Sequence, residues 1–160
     1  MHAVQSGQAM IELHESGRDI VSLPLGRLAL ESAIHALWLV QTGEGLRGFV
    51  NESHRQRDNI FKGMQKSASQ VFREGAASHE VEESYPRSFT DAAAKYFEQM
   101  SGALEGGHDA YLLYRILSQY SHAGLRLVDE YLVPDDASPV GVKLLTNPDK
   151  SSADRDPSLL

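Results

Sequence analysis

"LGRLALESAIHALWLV", residues 25–40, is the most hydrophobic window in a chain of 160 residues, and the fold turns on how it is read. Arg27, Glu31 and His35 interrupt it at intervals of four. On a helix that spacing gathers the three side chains into one polar row on an otherwise apolar surface. Three ionisable groups in so short a span speak against a membrane helix and for a helix packed among others. Ser22 can cap this helix, Pro24 suits its first turn, and Gly43 and Gly45 stop it near Gln41. Leu37 and Trp38 read as core.

Helical periodicity continues on both sides, and no stretch alternates as a strand of useful length. A first helix is expected over residues 4–15, stopping at Gly17, and a long polar third helix over residues 45–73. After the irregular GAASHEVEESYP, Ser88 or Thr90 caps a fourth helix that runs through Phe97 to about Leu104 and ends at Gly106 and Gly107. A fifth covers His108 to Leu132 and stops before Pro134. Residues 134–160 hold four prolines and many small polar residues, the composition of a tail or linker. The expected fold is all-α: a helical bundle of about five helices over residues 1–133, with an irregular C-terminal tail over 134–160. The length suits one domain with one hydrophobic core.

Composition narrows the function classes. The absence of cysteine removes disulfides, thiolate metal sites and cysteine nucleophiles. The opening MHAVQSGQAMIELHESG has no basic stretch followed by an apolar one, so it does not read as a secretory signal. A soluble, cytoplasmic protein that makes no use of a membrane is expected. The formal charge of -7 opposes bulk attraction to nucleic acid. Residues 44–73 run the other way, with six bases (Arg47, Arg55, Arg57, Lys62, Lys66, Arg73) against three acids. A charge run on a helix is most often a solvated face.

The candidate chemistry lies in "YRILSQYSHAG", residues 114–124, which carries Arg115, Ser118 and His122. Projecting the expected fifth helix places Leu113, Leu117, Tyr120, Gly124, Val128 and Tyr131 on a core line. Opposite stand His108, Tyr111, Arg115, Ser118, Gln119, His122, Arg126 and Asp129. Seven helical residues hold Arg115 and His122 roughly 10 Å apart along the axis, with Arg115 leaning away from the histidine. Convergence on one phosphate is then easier between two subunits than within one, so a functional pair favours a homodimer. The plainer reading is the wet side of an amphipathic helix.

An arginine followed after four to six residues by a histidine, on a late helix of a small bundle, resembles the signature of the HEPN superfamily. Many of its members are metal-independent endoribonucleases that act as dimers. The resemblance implies Arg115 and His122 as catalytic residues, with Arg115 holding the phosphate and His122 acting as general acid or base on RNA, and no cofactor or metal. Ser118 would support by bonding a phosphate oxygen or His122. Ile116 departs from the polar residue that many such ribonucleases place after the arginine. The same spacing also occurs at Arg47/His54 and Arg73/His79, where chance alone supplies about one match in a chain of this composition. "RLALESAIHALWLV" (27–40) and "YRILSQYSHAG" together resemble a group of largely uncharacterised bacterial helical proteins in which an Arg-x-x-x-Glu helix precedes a Ser-x-x-x-His helix. That resemblance spans about residues 22–132 and adds Arg27 and Glu31 as supporting residues. A half-buried Arg27/Glu31 ion pair is the plainer reading; the sharper one has Glu31 reach His122 or Arg115.

Two alternatives stand beside the ribonuclease. One is a non-catalytic helical module for dimerisation, a protein partner or a small ligand. The other, weaker, is an HD-type metal phosphohydrolase built on His108-Asp109 with His79 and Asp129. No Glu-x-x-His, phosphate loop or dinucleotide fingerprint occurs.

Overall fold

The computed structural model describes residues 1–77, 92–122 and 124–146. Among these residues the fold is all-α apart from one small hairpin. In chain order the elements are α1 (His2–Glu15), α2 (Asp19–Gln41), α3 (Gly45–Gln65), α4 (Gln70–Ala77), α5 (Ala92–Lys95), α6 (Phe97–Gly102), α7 (Gly107–Gln119), α8 (Leu125–Asp129), β1 (Leu132–Pro134) and β2 (Val142–Leu144). The caps expected at Ser88 or Thr90, and His79, lie outside the described residues. The chain divides into two compact units, Met1–Ile34 with His108–Leu160, and His35–Gly107.

In the first unit, α1 ends where Gly17 takes a left-handed φ of 80°, a conformation that costs glycine nothing. His14 Nδ1, at the end of α1, lies 2.7 Å from Asp19 Oδ1 in the first turn of α2. α2 begins at Asp19, four residues before the Leu23 that a cap at Ser22 would make its first. Ser22 does not cap it: its N–H donates to Arg18 O and its hydroxyl to Asp19 O, both as a residue already inside the helix. Pro24 then stands within the helix, where it supplies no N–H to the Ile20 carbonyl. By length and composition α2 is long and apolar enough to cross a membrane, with mean hydropathy 1.3 over its best window. Gly26 is buried where α1, α2 and α7 meet, against Met10 and Leu117.

Three of the expected helices are interrupted. The third divides into α3 and α4, because residues 66–69 fold as a turn. There the Ser67 hydroxyl accepts from Ser69 N, and Arg73 Nη1 donates to the Ser67 and Ala68 carbonyls at 2.7 and 2.8 Å. The fourth divides at Tyr96, whose backbone is extended. The fifth stops at Gln119. Ser118 and Ser121 turn their hydroxyls onto the Tyr114 and Leu117 carbonyls, and the last backbone bonds tighten to three-residue spacing before extended Gly124 starts α8. Residues 134–146 of the expected tail are not irregular throughout. β1 pairs antiparallel with β2, Val133 opposite Lys143, and Leu145 N closes onto Tyr131 O.

The core of the second unit is small. Trp38, Ala76, Ala94 and Met100 are its buried apolar residues among those described, and Ser101 beside them has no exposed surface. Gly45 lets α3 start against the indole, since a Cβ there would sit 3.3 Å from Trp38 Cζ3. His35 continues this aromatic packing, edge-on to Phe49 and stacked on Phe97. Leu37, expected in the core, is 52% exposed instead; it points away from the side of α2 that buries Ile34 and Trp38. α3 spends part of its charge on itself: Arg55 binds Glu52 through Nε at 2.7 Å and holds that carboxyl below the usual carboxylate range.

Candidate functional site

Four of the sequence-selected polar residues belong to α2 and α7 of the first unit, and the structure brings three of them together. Arg27 sits at the centre. Its Nη2 lies 3.5 Å from Glu31 Oε2 one turn along α2, and donates to the Tyr114 hydroxyl of α7 at 3.0 Å. The guanidinium carbon stands 5.0 Å from the centre of the Tyr114 ring, within cation–π range. Tyr111 stacks on the same ring at 6.1 Å. Ser118 reaches this group only through the backbone, its hydroxyl donating to the Tyr114 carbonyl at 2.7 Å. Arg27 and Glu31 keep 25% and 31% of their side-chain surface, so the pair is half-buried, and Arg27 Nε is enclosed without a partner among the described residues.

Arg115 and His122 are placed differently. Both are exposed, and neither side chain has a hydrogen bond or ion pair with a described residue. They also belong to different elements, Arg115 to α7 and His122 to the turn after it. The shared helical face assumed for them ends at Gln119. Arg27 and Tyr114 therefore act as a clamp between α2 and α7, with Glu31 paired to Arg27 along α2 and the Ser118 bond kept within α7, and no described contact joins that clamp to Arg115 or His122.

Tyr114 is the central residue that the sequence reading missed. The projected face of α7 was turned by most of a quarter-circle, because four of its six core markers (Tyr120, Gly124, Val128, Tyr131) lie beyond the end of the helix. Within α7 itself, Tyr111, Tyr114, Leu117 and Ser118 are half-buried, while Leu112 (58%) and Leu113 (48%) are exposed. The useful signal was the Tyr-x-x-Tyr-x-x-x-Ser spacing, which holds one face over two turns. Tyr114→Phe is expected to lower unfolding stability by about 1–2 kcal/mol, through loss of the hydroxyl that accepts from Arg27. A urea titration against the wild type reads it.

No group of three or more His, Asp or Glu side chains among the described residues is placed to hold a metal ion. His108 and Asp109, from the HD-type reading, are both exposed at the start of α7. A family model described as a family of unknown function (DUF5677) matches residues 1–139. No curated protein and no solved structure matches the chain.

Proposed function

We propose that this chain, which belongs to the family of unknown function DUF5677, is a HEPN-like, non-catalytic helical module that works as a homodimer in the cytoplasm. One observation carries the reading: Arg27, which the resemblance makes a supporting group of the site, is engaged in fastening α2 to α7 through Tyr114, with Glu31 paired to it along α2. Their chemistry is spent on the fold. Leu112 and Leu113, by contrast, face outward from α7 and offer apolar surface to a partner. Sedimentation velocity from about 10 μM to about 1 mM tests the module, a range that brackets weak association. A chain that stays monomeric throughout removes this reading.

A second reading, a metal-independent endoribonuclease, is favoured by the exposure and freedom of Arg115 and His122. Both side chains are available to a substrate, and the end of α7 releases His122 from helical register. In a dimer Arg115 of one copy would hold the phosphate. His122 of the other would take the proton from the ribose 2'-hydroxyl or return one to the leaving 5'-oxygen. This reading expects cleavage of single-stranded RNA in EDTA, lost by at least about 100-fold in His122→Ala with the thermal midpoint unchanged, as removal of a general acid–base group requires. Equal turnover by the two proteins would refute it. Absence of cleavage by the wild type returns Arg115 and His122 to the surface of the module.

A further inference from the structure

The outer face of α7 has an order that neither reading uses. Asp109, Leu112, Ile116 and Gln119 follow at intervals of three, four and three, the repeat that keeps one stripe along a helix facing a partner helix. Asp109, Leu112 and Gln119 are exposed and Ile116 is half-buried; Asp109 and Gln119 have no side-chain partner among the described residues. The spacing reads the same from either end. Turned end for end about its middle, the stripe sets Leu112 against Ile116 and Asp109 against Gln119. An apolar pair meets an apolar pair, and at each end a carboxylate meets a carboxamide that can donate to it.

We infer that α7 is the dimer interface of this protein, packed antiparallel on α7 of a second copy about a two-fold axis level with residue 114. This deepens the homodimer reading and rests on it. The occupant of the face is a second copy because the match is internal to the stripe: a two-fold contact must be self-complementary, and this one is. Leu113, on one edge of the stripe, meets its own symmetry mate. Arg115, on the other edge, stands near the Arg115 of the second copy; the two guanidinium groups repel at an exposed rim, which salt screens and which weakens the contact without crossing its apolar middle. That register does not set Arg115 against His122, so it separates the interface from the ribonuclease arrangement. Thirteen helical residues make a contact about 20 Å long. Such a contact buries less than the roughly 800 Å² per partner of a standard interface, and the association is accordingly concentration-dependent.

The absence of cysteine provides the test. Full-length Leu112→Cys and Ile116→Cys proteins are mixed under mild oxidation, beside a mixture of Arg115→Cys and His122→Cys, and the tagged heterodimers are resolved on a non-reducing gel. Facing positions of two packed helices come within the 4.4–6.8 Å Cα separation that a disulfide accepts, on the order of one residue's reach. Crosslinking between positions 112 and 116 at least about fivefold faster than each variant with itself is the expected result. Leu112→Asp is the second arm: its circular dichroism and melting match the wild type because the residue is exposed, and its dimer dissociation constant rises at least about tenfold, the equivalent of one buried leucine contact. A dimer that crosslinks through 115 and 122 instead, or that forms undiminished in Leu112→Asp, overturns this interface and leaves the homodimer standing. A monomer at every concentration overturns both.

Discussion

Gly107→Ala is expected to destabilise the protein by about 3 kcal/mol or more, at the upper end of what overpacking costs. Gly107 is buried at the first position of α7, and the new Cβ would overlap the Ser101 carbonyl oxygen and lie 2.6 Å from its carbon. Both obstructing atoms are backbone, so no side-chain rotation relieves the clash. The local frame is closely tied as well. Leu104 N donates to Ser101 O, Gly107 N donates to Leu104 O, and the Ser101 hydroxyl donates to Gly107 O. Moving the Ser101 carbonyl away would strain the two of these bonds that Ser101 makes, around a residue with no exposed surface. Gly26→Ala is the control. The one close approach to its Cβ is the sulfur end of the flexible Met10 side chain at 2.7 Å, which can swing aside, while Leu117 Cδ1 at 3.9 Å is in ordinary contact, and a loss below about 1.5 kcal/mol is expected. Chemical denaturation of the two variants compares them, and equal midpoints would show that the α6–α7 turn yields more easily than its hydrogen bonds indicate.

Trp38→Ala is the other large effect, with an expected loss of about 3–5 kcal/mol. The indole is 1% exposed and is the largest fully buried side chain described. Gly45 lies against its edge and carries no side chain able to refill the space. The cavity therefore stays open, which places the cost toward the upper part of the range. Trp38 is also the only tryptophan in the sequence, so wild-type fluorescence reports its burial directly. A blue-shifted emission maximum that moves red in a single step on adding guanidinium is expected, and Trp38→Phe should retain most of the stability that Trp38→Ala loses. An emission maximum already red-shifted in buffer would contradict this packing.

The helices were legible where apolar periodicity and glycine punctuation agree. The end of α1 at Gly17, the α2–α3 break and the left-handed Gly106 before α7 all follow from local chemistry. The interruptions at residues 66–69 and just after Gln119 were not legible, because they are made by serine hydroxyls and an arginine turning onto backbone groups. Serine sits passably inside a helix too, and only the folded chain shows which option it takes. The shared helical face expected for Arg115 and His122 was lost for the same reason. Carrying the helix past Gln119 put Arg115 and His122 on one face and left Tyr114 off both the core and the polar line, when the tyrosine is in fact the partner of Arg27 across the helices. The plainer expectation for Arg27 and Glu31, an ion pair half-buried between helices, is what the structure shows.

The hairpin bears on edge-to-edge pairing between copies of this chain. β2 is exposed at all three residues, and its outer edge presents backbone donors and acceptors with no neighbouring strand among the described residues. Such an edge invites a second strand. Lys143 stands at its centre, however, and an antiparallel partner in the symmetric register would bring ammonium against ammonium at the axis. At high concentration the sheet edge is thereby guarded against growth from chain to chain, and storage or overexpression should favour discrete soluble species over fibres.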